Sequence, residues 1–496
     1  MTSRVLVLDG SRPLTRAEVG GKAFSINDMR RLGLPVPPAF VLATAECRAF
    51  RDEGGALGDE VWHEVLAALT HLEEATGRRF GQGPSPLLVS VRSGAAESMP
   101  GMMDTVLNLG LNAELVAALA AESGDAPWAQ DTWNRFRESY ANIVAGVPGA
   151  EPPADPYEQL RAAIGAVFRS WDSPRAVAYR ERHRLEGLDG TAVTVQAMVF
   201  GNRDGDSGTG VLFSRDASTG EPVVTGDWLP RAQGEEVVSG ARTPLSLDAL
   251  AEAHLHLHTE LLRVAHLVED ELHDMADIEF TVESGRLYIL QSRVGKRAPL
   301  AAVRIAVDLV REGRIDRDVA VSRLSDEHIA RLAESGAVKA SAPVIARGAG
   351  IGTGVATGVA VTDTDEAESR AADGEDVVLV RGMTAPEDVP TMFQSVAVIT
   401  ETGGPTSHAA LVCREIGLPC VVGCGEGTID ALAGKIVTVD GTSGLIYEGA
   451  AGGVGGTASA PDPYLEEFSS YVRWPVDPGH PLAALAHLAA TAQVRR

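Results

Sequence analysis

The sequence predicts a multidomain protein of the α/β and α+β class. Its 496 residues are too many for one hydrophobic core, so two or three domains are expected. Short apolar runs typical of buried strands alternate with segments whose apolar residues recur at helical spacing. A second compact unit with its own strands begins near residue 341, after a charged helical segment.

The first part of the chain contains both strands and helices. LLVSVRSG (87–94) predicts a buried strand, and residues 111–185 predict a mainly helical subdomain. The runs TAVTVQAMVFG and VLFSRD then predict strands. A long helix is predicted from about 246 to 274. It is followed by a β-hairpin in DIEFTVESGRLYILQSR, with its turn at Ser284-Gly285.

The remaining chain divides into a connector, a second domain and a tail. Residues 300–340 predict a charged helical linker. Residues 341–449 hold the strand-like runs DVVLVRG, SVAVIT, PCVVG and KIVTVDG around a helix. Residues 450–496 begin with the glycine-rich stretch GAAGGVGGTASAPDP, which is typical of a linker-like tail.

The composition excludes several classes of function. Hydrophobic residues make up 45% and charged residues 22%, which is ordinary for a globular protein. The formal net charge of −25 disfavours broad binding to nucleic acid or to an anionic membrane, although a local cationic pocket for phosphates is compatible with it. No apolar run has the length of a membrane span, and the N-terminus lacks the apolar region of a signal peptide. We therefore expect a cytoplasmic protein.

Four cysteines occur in the chain, and three of them lie close together in sequence. Cys413, Cys420 and Cys424 have the spacings C-x6-C and C-x3-C, which fit no common zinc site. In a chain this long, four cysteines do not make a disulfide framework either. We expect buried structural thiols, including Cys47.

A histidine at the start of a predicted helix is the first candidate for chemistry. SVAVIT predicts a strand, and HAALVCREIG predicts a helix that ends at Gly417, with Thr406 or Ser407 as N-cap. His408 then lies in the first helical turn, where unpaired N–H groups and the helix dipole disfavour the imidazolium form. The same position stabilises a phosphoryl group carried on a ring nitrogen. A histidine packed under a loop is the alternative that position alone leaves open.

The stretch GGPTSHAALVCREIGLPCVVG resembles the phosphohistidine loop of the enzymes that interconvert phosphoenolpyruvate and pyruvate. The resemblance implies that His408 is phosphorylated. It also implies a regulatory role for Thr406, because the matching threonine is a phosphorylation site in some pyruvate phosphate dikinases. Pro405 stands where the dikinases usually have methionine.

Other stretches resemble the pyruvate phosphate dikinase family specifically, in matching order over residues 1 to about 448. They are GGKAFSINDMRRLGLPVPPAF, SVRSGAAESMPGMMDTVLNLGLN, VQAMVFGN, DSGTGVLFSRDASTGE, AQGEEVVSGARTP and DIEFTVESGRLYILQSRVGKR. The resemblance implies an ATP-grasp nucleotide-binding domain over residues 1–299. It also implies a swivelling β/β/α phosphohistidine domain over residues 341–449.

Residues suited to phosphate binding occur in these stretches. Lys22 follows two glycines, so its flexible stem can deliver a point charge to a phosphate. Arg92, at the end of a predicted strand, offers planar bidentate donors. Gly101 can let the backbone close over the triphosphate. Arg135 matches a family arginine near the nucleotide, although an arginine on a helix surface is an open alternative.

The hairpin carries the candidate magnesium ligands. Asp277 and Glu279 share one face of their strand because side chains alternate. The resemblance implies that Glu279 and Gln291 hold Mg²⁺-ATP and that Arg293 contacts phosphate. A two-residue turn would put Gln291 opposite Ile278, whereas a three-residue loop over 284–286 would put it opposite Glu279. The apolar alternation favours the first register and the chemistry favours the second, which is our prediction.

These features predict an ATP-dependent dikinase that phosphorylates its own His408 and releases AMP, with pyrophosphate if inorganic phosphate is the co-substrate. The sequence stops about fifty residues after the phosphohistidine domain, too few for the (β/α)8 barrel that binds pyruvate in the family. We therefore expect an acceptor supplied by a separate barrel protein. A small-molecule acceptor, as in rifampin phosphotransferase, and a catalytically silent, nucleotide-responsive regulatory protein are the alternatives.

The expected mechanism also needs movement. A phosphoryl group has to travel between distant sites, so the phosphohistidine domain is expected to swivel. The helical segment at 300–340 and the loop ARGAGIGTG are the predicted hinges.

Overall fold

The computed structural model describes most of the chain. The described residues are 4–97, 99, 102–182, 184–185, 187–239, 242–324, 328, 337–338, 343–352, 354–453 and 463–472. Contacts between Cα atoms group the chain into two compact units. One comprises residues 1–207 and 281–292, and the other comprises residues 208–280 and 293–496. The domain boundaries predicted from the sequence differ from this grouping and stay a prediction.

The first unit is built around a five-stranded antiparallel sheet with the order β1-β2-β7-β5-β6. Its strands are β1 (Val5–Val7), β2 (Ala39–Leu42), β5 (Val89–Gly94), β6 (Thr105–Leu109) and β7 (Ala192–Ala197), with a short parallel pair of β3 (Arg79–Phe80) and β4 (Pro86–Leu87). Its helices are α1 (Arg16–Arg31), α2 (Thr44–Asp52), α3 (Asp59–Thr76), α4 (Ala113–Ser123), α5 (Ala126–Ser139), a π-helix (Tyr140–Ala145), α6 (Pro156–Ser170) and α7 (Pro174–Arg182).

The helical stretch predicted at 111–185 is confirmed, and caps explain where its helices begin. The Asn112 side chain accepts a hydrogen bond from the N–H of Leu115 at the start of α4, and Asp125 does the same for Trp128 at the start of α5. Gly124 ends α4 in the left-handed conformation, which glycine adopts without a steric penalty. Helix α6 buries its apolar face, including Phe168, against the sheet. These helices belong to the same core as strand β5.

The next sheet along the chain has the order β10-β9-β8-β11-β12, and residues 281–292 of its last two strands belong to the first unit. The elements up to the connector are β8 (Gly208–Phe213), β9 (Thr225–Pro230), α8 (Gly234–Ser239), β10 (Leu245–Ser246), α9 (Leu247–Ala253), α10 (Leu255–Leu272), β11 (Ala276–Glu283) and β12 (Arg286–Val294). The single helix predicted at 246–274 is wrong in one respect. His254 leaves the helical conformation, with φ −142° and ψ 67°, and separates α9 from α10.

The β11–β12 hairpin has a two-residue turn, so the predicted three-residue loop is wrong. Ser284 and Gly285 have φ of 48° and 75°, as a tight hairpin turn requires. Ser284 tolerates this conformation because its N–H donates to the Ser207 hydroxyl at 2.9 Å. The N–H of the next residue, Gly285, donates to the Asp206 carbonyl at 2.9 Å.

The far end of the hairpin nevertheless has a register shifted by one residue. A two-residue turn would place Val294 opposite Met275, but the N–H that donates to the Met275 carbonyl, at 2.8 Å, belongs to Gly295. Ile289 and Ser292 are both buried although they are three residues apart. Buried and more exposed side chains therefore do not alternate regularly between these two positions of β12. An extra residue in one strand, a β-bulge, produces such a shift. The predicted pairing of Gln291 with Glu279 stays a prediction.

The connector begins with two well-anchored helices, α11 (Pro299–Arg311) and α12 (Arg317–Ser322). Helix α11 packs on one side against Phe213 and Met275 and on the other against Phe468 of helix α17 (Pro463–Ser469). Helix α11 is thus held by apolar packing on both sides, and the hinge predicted at 300–340 stays a prediction. Most of residues 325–342 lie outside the described part of the chain.

The rest of the second unit is an eight-stranded sheet with the order β14-β21-β20-β16-β17-β18-β19-β15. Its strands are β14 (Val344–Arg347), β15 (Ala349–Ile351), β16 (Val355–Val361), β17 (Val377–Arg381), β18 (Ala397–Thr400), β19 (Cys420–Val422), β20 (Ile436–Asp440) and β21 (Leu445–Glu448), and a separate pair joins β13 (Ala337–Val338) to β22 (Gly452–Gly453). Its helices are α13 (Thr364–Ala372), a 3-10 turn (Pro386–Asp388), α14 (Val389–Gln394), α15 (His408–Ile416) and α16 (Thr428–Leu432).

Strands β16, β17, β18 and β19 are parallel and adjacent in sequence order. The helices α13, α14 and α15 connect them and pack in one apolar cluster with the sheet. This arrangement confirms the strands predicted for DVVLVRG, SVAVIT, PCVVG and KIVTVDG. It also brings the carboxyl ends of β17 and β18 to one edge of the sheet, where ligand sites of parallel sheets form.

Three further features concern the fold class, the cysteines and the helices. The mixed α/β and α+β class predicted from the sequence is confirmed. Cys47, Cys413 and Cys420 are buried and Cys424 is half-buried, and all four are free thiols. Among the described residues, no helix has the length and apolar character needed to cross a membrane.

Candidate functional site around His408

His408 is the first residue of α15 and follows the carboxyl end of β18 through a glycine-rich loop. Gly417 ends the helix with φ 65°, in the left-handed conformation. Ser407 occupies the N-cap position but makes no capping hydrogen bond with its side chain. The predicted position of the histidine in the first helical turn is therefore confirmed.

The imidazole of His408 contacts the side chain of Thr384. The Thr384 hydroxyl lies 3.1 Å from Nδ1, and the hydroxyl itself is buried. Burial lowers the pKa of His408 from its ordinary value, and the negative charges of Asp388 and Glu387 partly oppose this effect. A neutral ring whose Nδ1–H donates to Thr384 keeps the lone pair of Nε2 available as a nucleophile.

Thr384 and Asp388 are site residues that the sequence analysis missed. Thr384 follows strand β17, and the carboxylate of Asp388 accepts a hydrogen bond at 2.8 Å from the N–H of Ala385. A signal for them existed, since RGMTAPED follows a predicted buried strand next to SVAVIT. If the two strands are parallel, the loops that follow them meet at one edge.

Thr406 points away from His408 toward strand β9. Its N–H donates to Asp227 Oδ2 at 2.9 Å, and its hydroxyl donates to the same oxygen. Thr406 is 1% exposed, so its hydroxyl is covered in this arrangement. Burial raises the pKa of the Asp227 carboxyl, and the two hydrogen bonds from Thr406 oppose the rise. The sequence contained no signal for this pair, because its members are 179 residues apart.

Arg414 lies on α15, 2% exposed, beneath the same loop. Its Nη1 donates to the Pro405 carbonyl, and its guanidinium lies 5.3 Å from the centre of the Phe213 ring. Burial lowers the pKa of Arg414, and the nearby carboxylates of Asp216, Asp227 and Asp277 oppose this.

Two predicted nucleotide residues form an ion pair at the end of the hairpin. Arg293 Nε donates to Asp277 Oδ2 at 2.8 Å. Asp277 is 1% exposed, and burial raises its pKa while Arg293 and Arg414 oppose the rise. The buried carboxylate is placed to orient the guanidinium of Arg293. Glu279 is half-buried two residues further along β11.

In the first unit, the structure brings Lys22 to the end of the strand that carries Arg92. Gly20 interrupts α1 with φ 76°, and a Cβ there would lie 1.9 Å from the Gly94 carbonyl oxygen. The Gly21 N–H donates to the Ala95 carbonyl at 2.8 Å. Only glycine allows this approach, which places Lys22 against the end of β5.

The other predicted nucleotide residues have different outcomes. Arg135 lies on α5 and pairs with Asp131 one turn earlier, with 2.7 Å between Nε and Oδ2. Gln291 is half-buried on β12. Gly101 lies outside the described residues. The roles proposed for all of them in nucleotide binding stay predictions.

The donor set of the hairpin is compatible with magnesium. Among the described residues, no group of three or more histidine, cysteine, aspartate or glutamate side chains is arranged to hold a metal ion. A site for Mg²⁺-ATP does not need such a group, because the nucleotide phosphates supply part of the coordination. The carboxylate of Glu279 and the amide oxygen of Gln291 are donors of the kind that Mg²⁺ takes.

The site can thus hold a neutral imidazole at a helix N-terminus, where anions are stabilised. Comparison with protein families then gives two matches. Residues 56–254 match the pyruvate phosphate dikinase AMP/ATP-binding domain, and residues 373–444 match the mobile domain of PEP-utilising enzymes. His408 and Thr384 both lie within the second match.

Individual relatives agree with these matches. Pyruvate, phosphate dikinase 1 of Oryza sativa subsp. japonica is 42% identical over 85% of this chain and 49% of its own length. Pyruvate, phosphate dikinase of Clostridium symbiosum is 39% identical over 87% of this chain and 56% of its own length. A solved NMR structure of Enzyme I (nEIt) is 31% identical over 19% of this chain and 36% of that chain, with a TM-score of 0.14.

The chain spans about half the length of the curated relatives it matches. Within that span the nucleotide-binding domain is followed by the mobile domain, in the predicted order. By these two domains and by the similarity to the dikinases over most of its length, the chain belongs to the pyruvate phosphate dikinase family of phosphoenolpyruvate-utilising enzymes.

Proposed function

We propose that this protein is an ATP-dependent dikinase-type phosphotransferase that phosphorylates its own His408 and passes the phosphoryl group to an acceptor. The observation that supports this most is the geometry at His408. Its ring is kept neutral by burial, its Nδ1 is bonded to Thr384, and it opens helix α15. The remaining nitrogen then combines nucleophilic character with a setting that stabilises the phosphorylated product.

Because AMP is the expected product, the bond that breaks in ATP lies between its α- and β-phosphates. The Nε2 lone pair attacks the β-phosphorus of ATP, the bond from that phosphorus to the oxygen bridging the α-phosphate breaks, and AMP leaves. The histidine then carries a pyrophosphoryl group. Inorganic phosphate attacks its terminal phosphorus, pyrophosphate leaves, and one phosphoryl group stays on Nε2. If water replaces phosphate, the second product is inorganic phosphate.

The nucleotide is proposed to bind through Lys22, Arg92 and Arg293, whose cations suit phosphate oxygens. Asp277 acts through Arg293, because the carboxylate is buried and bonded to that guanidinium. Arg135 and the backbone at Gly101 are proposed to complete the nucleotide site. Mg²⁺ held by Glu279 and Gln291 would neutralise phosphate charge there.

The acceptor is proposed to be pyruvate, bound by a (β/α)8 barrel outside this sequence. We place the reaction in the cytoplasm and expect no nucleic-acid or membrane partner. Thr406 is proposed as a regulatory site. Its hydroxyl is covered by Asp227, so a modifying enzyme would reach it only after this contact opens.

The test is a product analysis. The protein is incubated with Mg²⁺-ATP, with and without inorganic phosphate, and nucleotides and intact protein mass are measured. We expect AMP, pyrophosphate that depends on added phosphate, and an acid-labile gain of one phosphoryl group on His408. ADP would instead indicate an ordinary kinase. Neither turnover nor modification would favour a nucleotide-responsive regulatory protein.

Replacement of Thr384 by valine is expected to slow the charging of His408 by about 10-fold, since one hydrogen bond that orients the nucleophile is lost. Thr384→Ser keeps the hydroxyl and should charge at close to the wild-type rate. The measurement is the single-turnover rate of phosphohistidine formation. Equal rates for the valine and serine variants would show that the contact to Nδ1 does not orient the ring.

A further inference from the structure

The phosphohistidine loop makes close contact with strand β9. Asp227, 4% exposed, accepts two hydrogen bonds from Thr406 through one carboxylate oxygen. Gly404 packs so tightly that an added Cβ would lie 2.6 Å from Pro244 Cγ and 2.9 Å from Asp227 Oδ2. The loop therefore fits against β9 and Pro244 only because residue 404 has no side chain.

Helix α15 extends the same contact. Leu411 packs on the apolar cluster that contains Phe213 and Met275, and Arg414 stacks over the Phe213 ring. We call the surface formed by Gly404, Thr406, Leu411 and Arg414 the docking face. His408 belongs to the same loop and helix.

The chemistry of the docking face suits a contact that opens and closes. Its central interaction joins a buried carboxylate to a hydroxyl and an N–H. Groups of this kind are hydrated again when they separate, whereas a permanent apolar core exposes its surface to water at a large cost.

The position of the docking face relates it to the nucleotide. In the sheet order β10-β9-β8-β11-β12, only β8 separates β9, which carries Asp227, from β11, which carries Asp277. Asp277 holds Arg293, so a loop bound to Asp227 is attached to the same sheet as the ion pair that carries one of the proposed phosphate ligands.

We propose that Asp227 is a positioning residue that docks the phosphohistidine loop for charging from ATP. The inference rests on the proposed function. Asp227 contacts neither the nucleotide nor the imidazole in this proposal. It accepts hydrogen bonds from the N–H and the hydroxyl of Thr406, and in this way it positions His408 two residues further along the chain.

The sharpest test is Gly404→Ala, because the new methyl group would collide with Pro244 and Asp227 across the contact. Gly382→Ala is the matched control on the same domain, since its new Cβ would lie 3.9 Å from its nearest neighbours. Asp227→Asn and Asp227→Ala remove the charge and the acceptor from the opposite side. For each variant we measure ATP affinity, single-turnover charging by Mg²⁺-ATP, and charging by phosphoramidate, a small phosphoryl donor that releases ammonia.

Misplacing a nucleophile by about 1 Å costs on the order of 100-fold in rate, and we expect losses of this size for Gly404→Ala and Asp227→Ala. Asp227→Asn, which keeps one acceptor oxygen, should lose about 10-fold. Affinity for ATP and charging by phosphoramidate should stay at wild-type values or rise. Gly382→Ala should resemble the wild type throughout. An equal loss with both donors would mean that the variants damage the histidine site itself, and the proposal would be wrong.

Hydrogen exchange tests docking without any phosphoryl transfer. In Gly404→Ala, protection should fall both in residues 401–407 and in residues 225–230, although only the first segment carries the substitution. Unchanged protection of 225–230 would overturn the docking proposal. If the wild type accepts phosphate from phosphoramidate but not from ATP, the proposed function fails, and the exchange experiment still decides whether docking occurs.

Discussion

Replacing His408 by alanine is expected to remove the acid-labile phosphorylated species completely while leaving ATP affinity within about two-fold of the wild type. The reason is that the proposed nucleotide ligands, Lys22 and Arg92, lie on other elements. Intact mass spectrometry after incubation with Mg²⁺-ATP measures the first quantity, and calorimetric titration measures the second. AMP formation should disappear with the phosphorylated species, since both come from one attack.

His63→Ala is a suitable control, because His63 is exposed on helix α3 and has no role in the proposed site. It should charge normally. Phosphorylation that persists in His408→Ala, at any other residue and at the wild-type rate, would refute the assignment of the nucleophile. A parallel loss of ATP affinity would show instead that the substitution disturbs the nucleotide site.

Replacing Arg215 by methionine is expected to destabilise the second unit by about 1–3 kcal/mol, because it removes two charge-assisted hydrogen bonds from the buried Glu269 carboxylate, which keeps only Arg314 and Ser214 as partners among the described residues. Arg215 is 3% exposed and bonds Glu269 with two nitrogens, at 3.2 and 2.9 Å. It also pairs with Glu312 at 2.7 Å, just after helix α11. This network ties the segment after strand β8 to helix α10 and to the end of helix α11, so its loss should loosen the packing of α11.

Scanning calorimetry measures the effect as a fall in the temperature of the corresponding transition. Arg370→Met is the control, since Arg370 forms an exposed pair with Glu366 on its own helix, worth at most about 0.5 kcal/mol. Adding Glu269→Gln to Arg215→Met should recover part of the loss, because Arg314 then no longer has to compensate the charges of both Glu269 and Glu312. Equal shifts for Arg215→Met and Arg370→Met would mean that the buried network contributes nothing special.

Local sequence patterns predicted the site of His408 well. An apolar run, a glycine-rich turn and a helical run closed by Gly417 specify strand, loop and helix without reference to the rest of the chain. The same is true of the hairpin around Ser284 and Gly285, whose existence was predicted. Its turn length was not, because two alternating runs are compatible with either a two-residue or a three-residue turn.

The residues that contact the site differed in how well the sequence could have revealed them. Thr384 could have been found, since it follows a buried strand that runs parallel to the one before His408. The contact of Asp227 with Thr406 could not, because an aspartate within a strand carries no signal for a residue 179 positions away. The anchoring of α11 was also hidden, since an apolar helix face does not reveal what will cover it.

By itself, the sequence determined the fold class, the order of the two domains, and a histidine placed at a helix N-terminus after a buried strand. These depend on backbone preferences and apolar periodicity, which act over a few residues. Only the tertiary structure decided that Thr384 contacts the imidazole. It also decided that Asp277 pairs with Arg293 and that Asp227 accepts hydrogen bonds from Thr406. Such pairings are set by which distant segments bury surface together, and their geometry exists only once the chain has folded.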